Sequence, residues 1–291
     1  MAKRRLDTLL AERGLFPSRS RAAASVMAGE VSIGTGRRRA EKPGELVDPL
    51  EPLSVADRPA FVSRGGIKLA NALAASGLEV AGRRALDVGA STGGFTDCLL
   101  QRGAREVIAV DVGYGTLDYR LRTDPRVRVM ERTNARALTP AMLGPSSAGV
   151  EDEAAAGRAP GAAALAGDRP DLATIDVSFI SLEKVLAPVL GCLAPAHDVL
   201  ALIKPQFEVG RARVGKGGVV RDAGDRRRAL VAVGRAALSL GAVVLGYYSS
   251  KLPGPKGNRE TFIWLGDGGA ARAGARTAPE MERMAEEAEP S

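Results

Sequence analysis

Near the start of the chain, hydrophobic positions recur at the spacing of two amphipathic helices. Ser18 is a suitable N-cap for the second helix, and Gly29 is expected to end it. Short strands are predicted at residues 30–33 and 53–55, with a basic, turn-rich loop between them. The pattern therefore predicts a small α+β unit over residues 1–57. Its inward-facing helix positions are expected to be Leu6, Leu9, Leu10, Ala22, Ala23, Val26 and Met27.

The rest of the chain shows short apolar runs that alternate with helical segments. Strands are predicted at residues 84–88, 106–110, 127–130, 172–175, 199–203, 242–247 and 261–265. Helices are predicted at 95–102, 182–193 and 225–240, and another is expected to begin near Lys68. Strands separated by helices predict an α/β fold with a doubly wound, Rossmann-like and mostly parallel sheet. The small α+β domain precedes it.

The composition of three segments suggests the domain boundaries. Residues 58–67 read as a linker between the small domain and a larger domain at 68–265. Residues 144–170 are rich in Ala, Gly and Pro and are expected to form a flexible insertion. The tail, 266–291, is expected to be disordered, although 281–288 carries a short helical pattern.

Charge is unevenly distributed along the chain, whose formal net charge is +7. Residues 1–42 carry ten basic and four acidic side chains, and residues 204–259 carry twelve and three. Two separate basic zones suggest a polyanionic partner such as a nucleic acid, although an ordinary solvated surface explains each zone equally well. The final twelve residues hold five Glu and one Arg.

Composition also excludes several classes of protein. One histidine rules out sites that need two, and two cysteines rule out a disulfide scaffold or a cysteine-rich zinc module. We therefore expect no metal. No signal peptide and no apolar run of about 18 residues is visible, so a cytoplasmic protein without a membrane partner is expected.

The sharpest chemical signal is the segment LDVGASTGGFT, in which a predicted strand enters a glycine-rich turn and then a helix. Its spacing, G-x-x-x-G-G, fits neither the dinucleotide fingerprint nor a P-loop. An Asp-x-Gly-x-x-x-Gly-Gly turn is instead typical of S-adenosylmethionine methyltransferases, where it holds the methionyl part of the cofactor. Asp87 begins this turn, and Asp111 follows the next strand, where a carboxylate can bind ribose hydroxyls. A Gly93→Val change is expected to block cofactor binding with the fold retained.

Four ionisable residues stand at the ends of predicted elements: Lys68, Asp176, Lys204 and Glu260. Each alone could be a surface or capping residue. Together they suit methyl transfer to a ribose 2′-hydroxyl, because the hydroxyl must lose its proton to become a good nucleophile. A lysine accepts that proton only in its neutral form, which burial and a second lysine favour. Carboxylates would orient the two amines, and Lys204 is the expected general base.

The N-terminal segment RLDTLLAERGLFPSRSRAAASVMAGEVSI, followed by KPGELVDP, resembles the S-four-type RNA-binding domain over residues 4–55. It departs from the usual Val-Asn-Gly turn, since Ile33-Gly34-Thr35 stands there. The resemblance implies RNA binding by this unit. Two arginines in the first turn of the second helix agree with a phosphate-facing surface. The expected RNA-binding residues are Arg4, Arg19, Arg21 and Arg64.

The larger domain resembles the TlyA family of FtsJ-like bacterial RNA methyltransferases. The resemblance rests on FVSRGGIKL, LDVGASTGGFTDCLL, VDVGYGTLDYRLR, ERTNAR, DVSFISL, IKPQFEVG, GKGGVVRD and KLPGPKGNRETFIWL. It implies 2′-O-methylation of cytidine in ribosomal RNA, with S-adenosylmethionine as cofactor and Lys68, Asp176, Lys204 and Glu260 as the catalytic tetrad. The cofactor-binding residues expected from the turn and the resemblance are Asp87, Gly89, Ser91, Gly93, Gly94, Asp111 and Asn134.

Two other functions stay open from the sequence. Some members of this family are named hemolysins, which suggests a membrane-active protein, but no long cationic amphipathic helix supports it. The chain could also bind RNA through an inactive methyltransferase fold, against which the intact turn and tetrad argue. Methyl incorporation into ribosomal RNA separates these alternatives.

Overall fold

The computed structural model describes residues 2–55, 60–144, 169–269 and 278–289. The chain divides into two compact units, Met1–Pro59 and Ala60–Ser291. The predicted insertion at 144–170 lies mostly outside the described residues.

The N-terminal unit is built from two helices and five short strands. The elements in chain order are β1 (Arg4–Arg5), α1 (Leu6–Glu12), α2 (Arg19–Ala28), β2 (Val31–Ile33), β3 (Arg38–Arg39), β4 (Leu46–Val47) and β5 (Leu53–Val55). Antiparallel pairing joins β1 to β4, and β2 lies between β3 and β5. Apolar residues of both helices and of β2 form one buried core.

The predicted helix signals of this unit are found where the sequence placed them. The Ser18 hydroxyl accepts a hydrogen bond from the Arg21 backbone N–H, and Gly29 ends α2 with a φ of +76°. One inward position is wrong, because Met27 is 70% exposed. The loop expected after β2 contains the two-residue strand β3, which is too short to show a periodic pattern.

The larger unit alternates strands and helices. Its first half contains α3 (Arg64–Ser76), β6 (Arg84–Val88), α4 (Gly94–Gln101), β7 (Glu106–Val110), α5 (Tyr119–Arg122), β8 (Val127–Met130) and α6 (Pro140–Leu143). Its second half contains β9 (Leu172–Ile175), α7 (Glu183–Cys192), β10 (Asp198–Ile203), α8 (Pro205–Glu208), α9 (Ala223–Ser239), β11 (Val243–Ser249), β12 (Thr261–Gly266) and α10 (Ala278–Ala288). Short 3₁₀ turns lie at Ala135–Ala137 and Arg211–Arg213.

These strands form one seven-stranded sheet in the order β11-β12-β10-β9-β6-β7-β8. The pairs among β10, β9, β6, β7 and β8 are parallel, whereas β12 runs antiparallel to both of its neighbours. The chain goes outward from β6 to β8 and then returns to β9 on the other side of β6. Ligands of such sheets bind beyond the carboxyl ends of the strands at this reversal of order.

Both faces of the sheet are covered, which explains why its strands read as continuous apolar runs. In β6, for example, Leu86 and Val88 belong to one buried cluster and Ala85 belongs to the other. The predicted α/β class and the mostly parallel sheet are therefore confirmed.

Two boundaries of the larger unit differ from the expectation. Helix α3 begins at Arg64 rather than near Lys68, so its first turn lies inside the predicted linker. The tail was expected to be disordered, but residues 278–288 form α10, in which Met281 and Ala285 are fully buried. The helical pattern noted at 281–288 was the correct reading of this segment.

Candidate active site

Strand register gathers the four predicted catalytic residues at the carboxyl edge of the sheet. Ile203 of β10 pairs with Thr261 of β12, so Lys204 and Glu260 lie just beyond paired positions. Asp176 follows β9, which is hydrogen-bonded to β10. Lys68 comes from α3 and reaches the same edge through its long side chain.

The four side chains form two ion pairs. Lys68 Nζ lies 2.5 Å from Glu260 Oε2, and the two side chains are 9% and 1% exposed. Lys204 Nζ lies 2.6 Å from Asp176 Oδ1, with exposures of 10% and 23%. Breaking a buried pair by removing one partner costs about 3–5 kcal/mol, since it leaves an uncompensated charge. Because the two lysine side chains are so little exposed, their amines lie where little water reaches them.

Two neighbouring residues of this site were missed by the sequence analysis. Lys204 Nζ donates a hydrogen bond to Ser178 Oγ at 2.9 Å. Phe179 is 92% exposed with a φ of +65°, and its ring centroid lies 5.4 Å from that of Phe207. A non-glycine residue in this conformation is uncommon and often marks a functional position. Both residues stand in DVSFISL, so their closeness to Asp176 was the available signal.

The glycines of the turn after β6 have no room for side chains. Gly89 has a φ of +86°, and a Cβ there would lie 2.6 Å from the Asp176 backbone oxygen. At Gly94 a Cβ would lie 2.2 Å from Ser63 Oγ. The turn therefore needs glycine both for its conformation and for the close approach of neighbouring backbone.

Gly93 has a different role from the one expected. Its φ is +95°, and a Cβ would lie 2.2 Å from Leu121 Cδ1 and 2.8 Å from Leu117 Cδ1, both in the core. A valine at this position would strain the backbone and the packing. The expectation that Gly93→Val blocks cofactor binding with the fold retained is therefore not supported by the geometry.

Asp87 lies beneath the turn and is fully buried. Its two carboxylate oxygens accept hydrogen bonds from Thr96 Oγ1 at 2.7 Å and from Thr174 Oγ1 at 3.0 Å. Burial raises the pKa of the Asp87 carboxyl to about 7, although the hydroxyl groups oppose the shift. Asp87 thus links β6, β9 and the start of α4, and supports the turn from below.

Asp111 connects the end of β7 to the glycine turn. Its Oδ2 accepts a hydrogen bond from the Ser91 backbone N–H at 2.8 Å, and its Oδ1 accepts one from Gly113 N–H at 2.7 Å. Asn134 instead caps the 3₁₀ turn that follows β8, by accepting from Arg136 N–H. The two predicted cofactor residues therefore serve different local structures.

A cavity of about 370 Å³ lies between the turn and the lysine–carboxylate pairs. That volume is in the range of small-molecule sites. The predicted residues that line it are Arg64, Lys68, Gly89, Ser91, Gly94 and Asp176. The predicted catalytic and cofactor residues that do not line it are Asp87, Gly93, Asp111, Asn134, Lys204 and Glu260. Lys204 and Glu260 are each paired with a residue that does line it. A turn whose glycines bring its backbone to the cavity, beside a carboxylate at the end of β7, fits S-adenosylmethionine.

The predicted RNA-binding arginines of the N-terminal unit carry exposed charge. Arg4 pairs with Glu12 at 2.5 Å, and 47% of its side chain is exposed. Arg19 Nε lies 3.1 Å from Asp7 Oδ2, so this arginine also neutralises a buried carboxylate. Arg21 is exposed on the same helix. Arg64 belongs to the larger unit, where its Nη2 donates to the Pro253 carbonyl at 3.1 Å.

Family comparisons agree with both units. Residues 61–267 match the FtsJ-like methyltransferase family, and residues 4–49 match the S4 domain. In the part of the chain that the structure describes, no helix is long and apolar enough to cross a membrane.

Several relatives match along most of their length. The chain is 48% identical to the 16S/23S rRNA (cytidine-2′-O)-methyltransferase TlyA of Mycobacterium tuberculosis over 91% of each chain. It is 35% identical to Hemolysin A of Brachyspira hyodysenteriae, covering 88% of this chain and 97% of that protein. The solved structure of a hemolysin-named protein from Streptococcus thermophilus covers 99% of this chain and 96% of its own, at 36% identity and a TM-score of 0.68. The chain therefore belongs to the TlyA group of the FtsJ-like methyltransferase family and carries an N-terminal S4 domain.

Proposed function

We propose that this protein transfers a methyl group from S-adenosylmethionine to the ribose 2′-hydroxyl of a cytidine in ribosomal RNA. The observation that carries the proposal is the pair of buried lysine–carboxylate contacts beside the glycine turn. The printed activity of the M. tuberculosis relative supports the same substrate and the same reaction.

S-adenosylmethionine, when bound, supplies an electrophilic methyl group on a sulfonium. The backbone of Gly89, Ser91 and Gly94 lines the cavity and would hold its methionyl part. Asp111 stands at the end of β7, where its carboxylate would bind the ribose hydroxyls of the cofactor.

Lys204 would accept the proton of the 2′-hydroxyl. In its neutral form its amine has a lone pair, and the resulting ammonium is compensated by Asp176 at 2.6 Å. Ser178 fixes the direction of the amine through its hydroxyl. The Lys68–Glu260 pair holds a second amine beside the neighbouring strand, β12. This amine orients the substrate oxygen and adds positive charge.

RNA recognition would divide between the two units. The exposed arginines of the S4 domain bind phosphates and supply affinity without reading sequence. In the larger unit, Arg64 lines the cavity, and the exposed ring of Phe179 offers a face on which an unpaired base can stack. A base taken out of a stack brings its ribose within reach of the lysines.

The test is methyl transfer from radiolabelled S-adenosylmethionine to ribosomal RNA that lacks this modification. We expect label in cytidine and a new site that resists alkaline cleavage, because 2′-O-methylation removes the attacking hydroxyl. RNA from cells that express the protein serves as the control and should accept no label. Binding of both RNA and cofactor without incorporation would instead indicate an RNA-binding protein with an inactive site.

A further inference from the structure

Glu289, just beyond the end of α10, carries a buried carboxylate that the proposed chemistry does not use. Its side chain is only 4% exposed, and burial of a carboxylate is costly unless charged or hydrogen-bonding partners compensate it. The helix lies outside the segment that matches the FtsJ-like family, residues 61–267. The family fold therefore does not explain why this carboxylate is buried.

Packing of α10 fixes where Glu289 lies. Met281 and Ala285 are fully buried in the core that α9 and β11 share. At Gly234 of α9 a Cβ would lie 2.3 Å from Met281 Sδ and 2.5 Å from Tyr247 Oη. The glycine thus leaves the space that Met281 fills, and this contact sets the position of the helix along α9.

The carboxylate of Glu289 contacts both chain neighbours of Glu260. Its Oε1 accepts a hydrogen bond from Thr261 Oγ1 at 3.3 Å, and its Oε2 lies 3.7 Å from Arg259 Nη1. Arg226 Nε of α9 donates to the same Oε2 at 2.8 Å. Glu289 therefore contacts the side chains of the residues on either side of Glu260, which pairs with Lys68.

Arg226 extends the connection to the loop before α9. Its Nη1 donates to the Arg221 carbonyl at 2.6 Å. The Asn258 side chain joins the same loop to the segment that leads into Glu260, by accepting from Val220 N–H at 2.9 Å and donating to the Gly218 carbonyl at 2.8 Å. The loop, α9, α10 and the start of β12 form one polar network.

From this network we infer that Glu289 is a positioning residue for methyl transfer, which holds residues 259–261 so that Glu260 stays against Lys68. The inference rests on the proposed function of the tetrad. Without the carboxylate, the segment loses its buried anchor and fewer molecules hold the Lys68–Glu260 pair in place. The glycine turn follows β6, away from residues 259–261, so we expect cofactor affinity to depend less on this anchor than the transfer rate does.

The experiment compares Glu289→Gln with the wild-type full chain in single-turnover methyl transfer to ribosomal RNA. We expect a rate about tenfold lower at saturating cofactor and RNA, since small displacements of reacting groups are costly. Dissociation constants for S-adenosylmethionine and RNA should stay within about twofold, a split that a general loss of structure would not produce. The matched control is Glu282→Gln on the same helix, whose exposed pair with Arg235 faces solvent; it should react like wild type.

A second readout is amide hydrogen exchange, which should accelerate in residues 250–261 of Glu289→Gln. A folded Glu289→Gln protein with the wild-type rate would overturn the inference. If that variant fails to fold, Thr261→Val is tested instead, because it removes one hydrogen bond and keeps the Arg226 pair. About threefold slower transfer supports the inference. An unchanged rate overturns it. Absence of methyl transfer by the wild type would refute the proposed function instead, and hydrogen exchange would still test the anchor.

Discussion

Asp7 in the N-terminal unit and Asp87 in the larger unit are both buried carboxylates, but different groups surround them. The guanidinium groups of Arg5 and Arg19 contact Asp7, and the Arg5 hydrogen bond holds the pKa of that carboxyl well below its usual range. Asp87 accepts hydrogen bonds from two threonine hydroxyls, and burial raises its pKa to about 7. Asp7 is therefore kept charged, whereas the surroundings of Asp87 favour its neutral form.

The same contrast extends to the cations of the two units. In the N-terminal unit, Arg4, Arg5 and Arg19 are about half exposed, and arginine stays protonated. In the larger unit, the paired cations Lys68 and Lys204 are about 10% exposed. Fixed, solvated charge suits binding to a polyanion, and buried amines held beside a cavity suit chemistry.

Lys204→Arg is the strongest test of this contrast. It places in the active site an arginine–carboxylate pair of the kind found in the N-terminal unit. We expect cofactor and RNA binding near wild type but a turnover lower by about 10²-fold or more, the usual scale for a positioned base. Single-turnover methyl transfer should stay low in the variant at every pH at which the wild type is active. A fully active variant would show that Lys204 acts only through its charge.

Asp87→Asn tests the difference between the two buried carboxylates through the pH dependence of the unfolding free energy. A carboxyl whose pKa is raised in the folded state stabilises the protein most at low pH, and this stabilisation is lost as pH rises from about 4 to about 7. Between pH 5 and pH 8 we expect the wild type to lose about 2 kcal/mol more unfolding free energy than Asp87→Asn. Urea unfolding followed by the fluorescence of Trp264, the one tryptophan, reports on the larger unit.

Asp7→Asn is the opposite case, and because Trp264 lies in the other unit its unfolding is followed by circular dichroism. A lowered pKa stabilises the folded state above pH about 4, and the stabilisation is lost as pH falls. The variant should therefore cost the N-terminal unit stability at neutral pH and little in strong acid. Parallel stability curves for wild type and Asp87→Asn between pH 5 and pH 8 would contradict the assigned direction for Asp87.

Replacing Arg4, Arg19 and Arg21 together tests the fixed charge of the N-terminal unit. With alanine at all three positions we expect RNA affinity to fall about tenfold and the salt dependence of binding to flatten, because fewer phosphates are neutralised. Cofactor affinity should not change. The lysine triple variant is the matched control, since it keeps the charge and should keep the salt slope. An unchanged slope in the alanine variant would mean that these arginines face plain solvent.

The sequence was sufficient to predict strand positions where buried apolar runs are long enough to show a pattern. The strands at Arg84–Val88, Glu106–Val110 and Leu172–Ile175 match the predicted ranges residue for residue, because both faces of the sheet are covered and every position in them is apolar or paired. The two-residue strands of the N-terminal unit show no period and were missed. Met27 fits the helical spacing, yet it faces solvent.

The chemistry of the site was less predictable than its residues. The sequence predicted the four tetrad residues, but periodicity cannot say that Lys68 contacts Glu260, 192 positions away, while Lys204 contacts Asp176. Glu289 looked like one more acid in a charged tail, because the arginine and threonine that explain its burial lie in other elements. Pairings of this kind depend on the folded register, which a local pattern does not contain.

The position of β12 has a consequence for the newly made protein. Among the described residues it is the last strand in the sequence, yet it lies between β10 and β11 and joins them into one sheet. Until residues 260–266 have left the ribosome, β11 has no neighbour and Lys68 has no Glu260. A chain that stops early, even by a few residues before β12, would contain the whole glycine turn and still have neither a complete sheet nor a complete tetrad. Synthesis through β12 is thus a condition for a complete site.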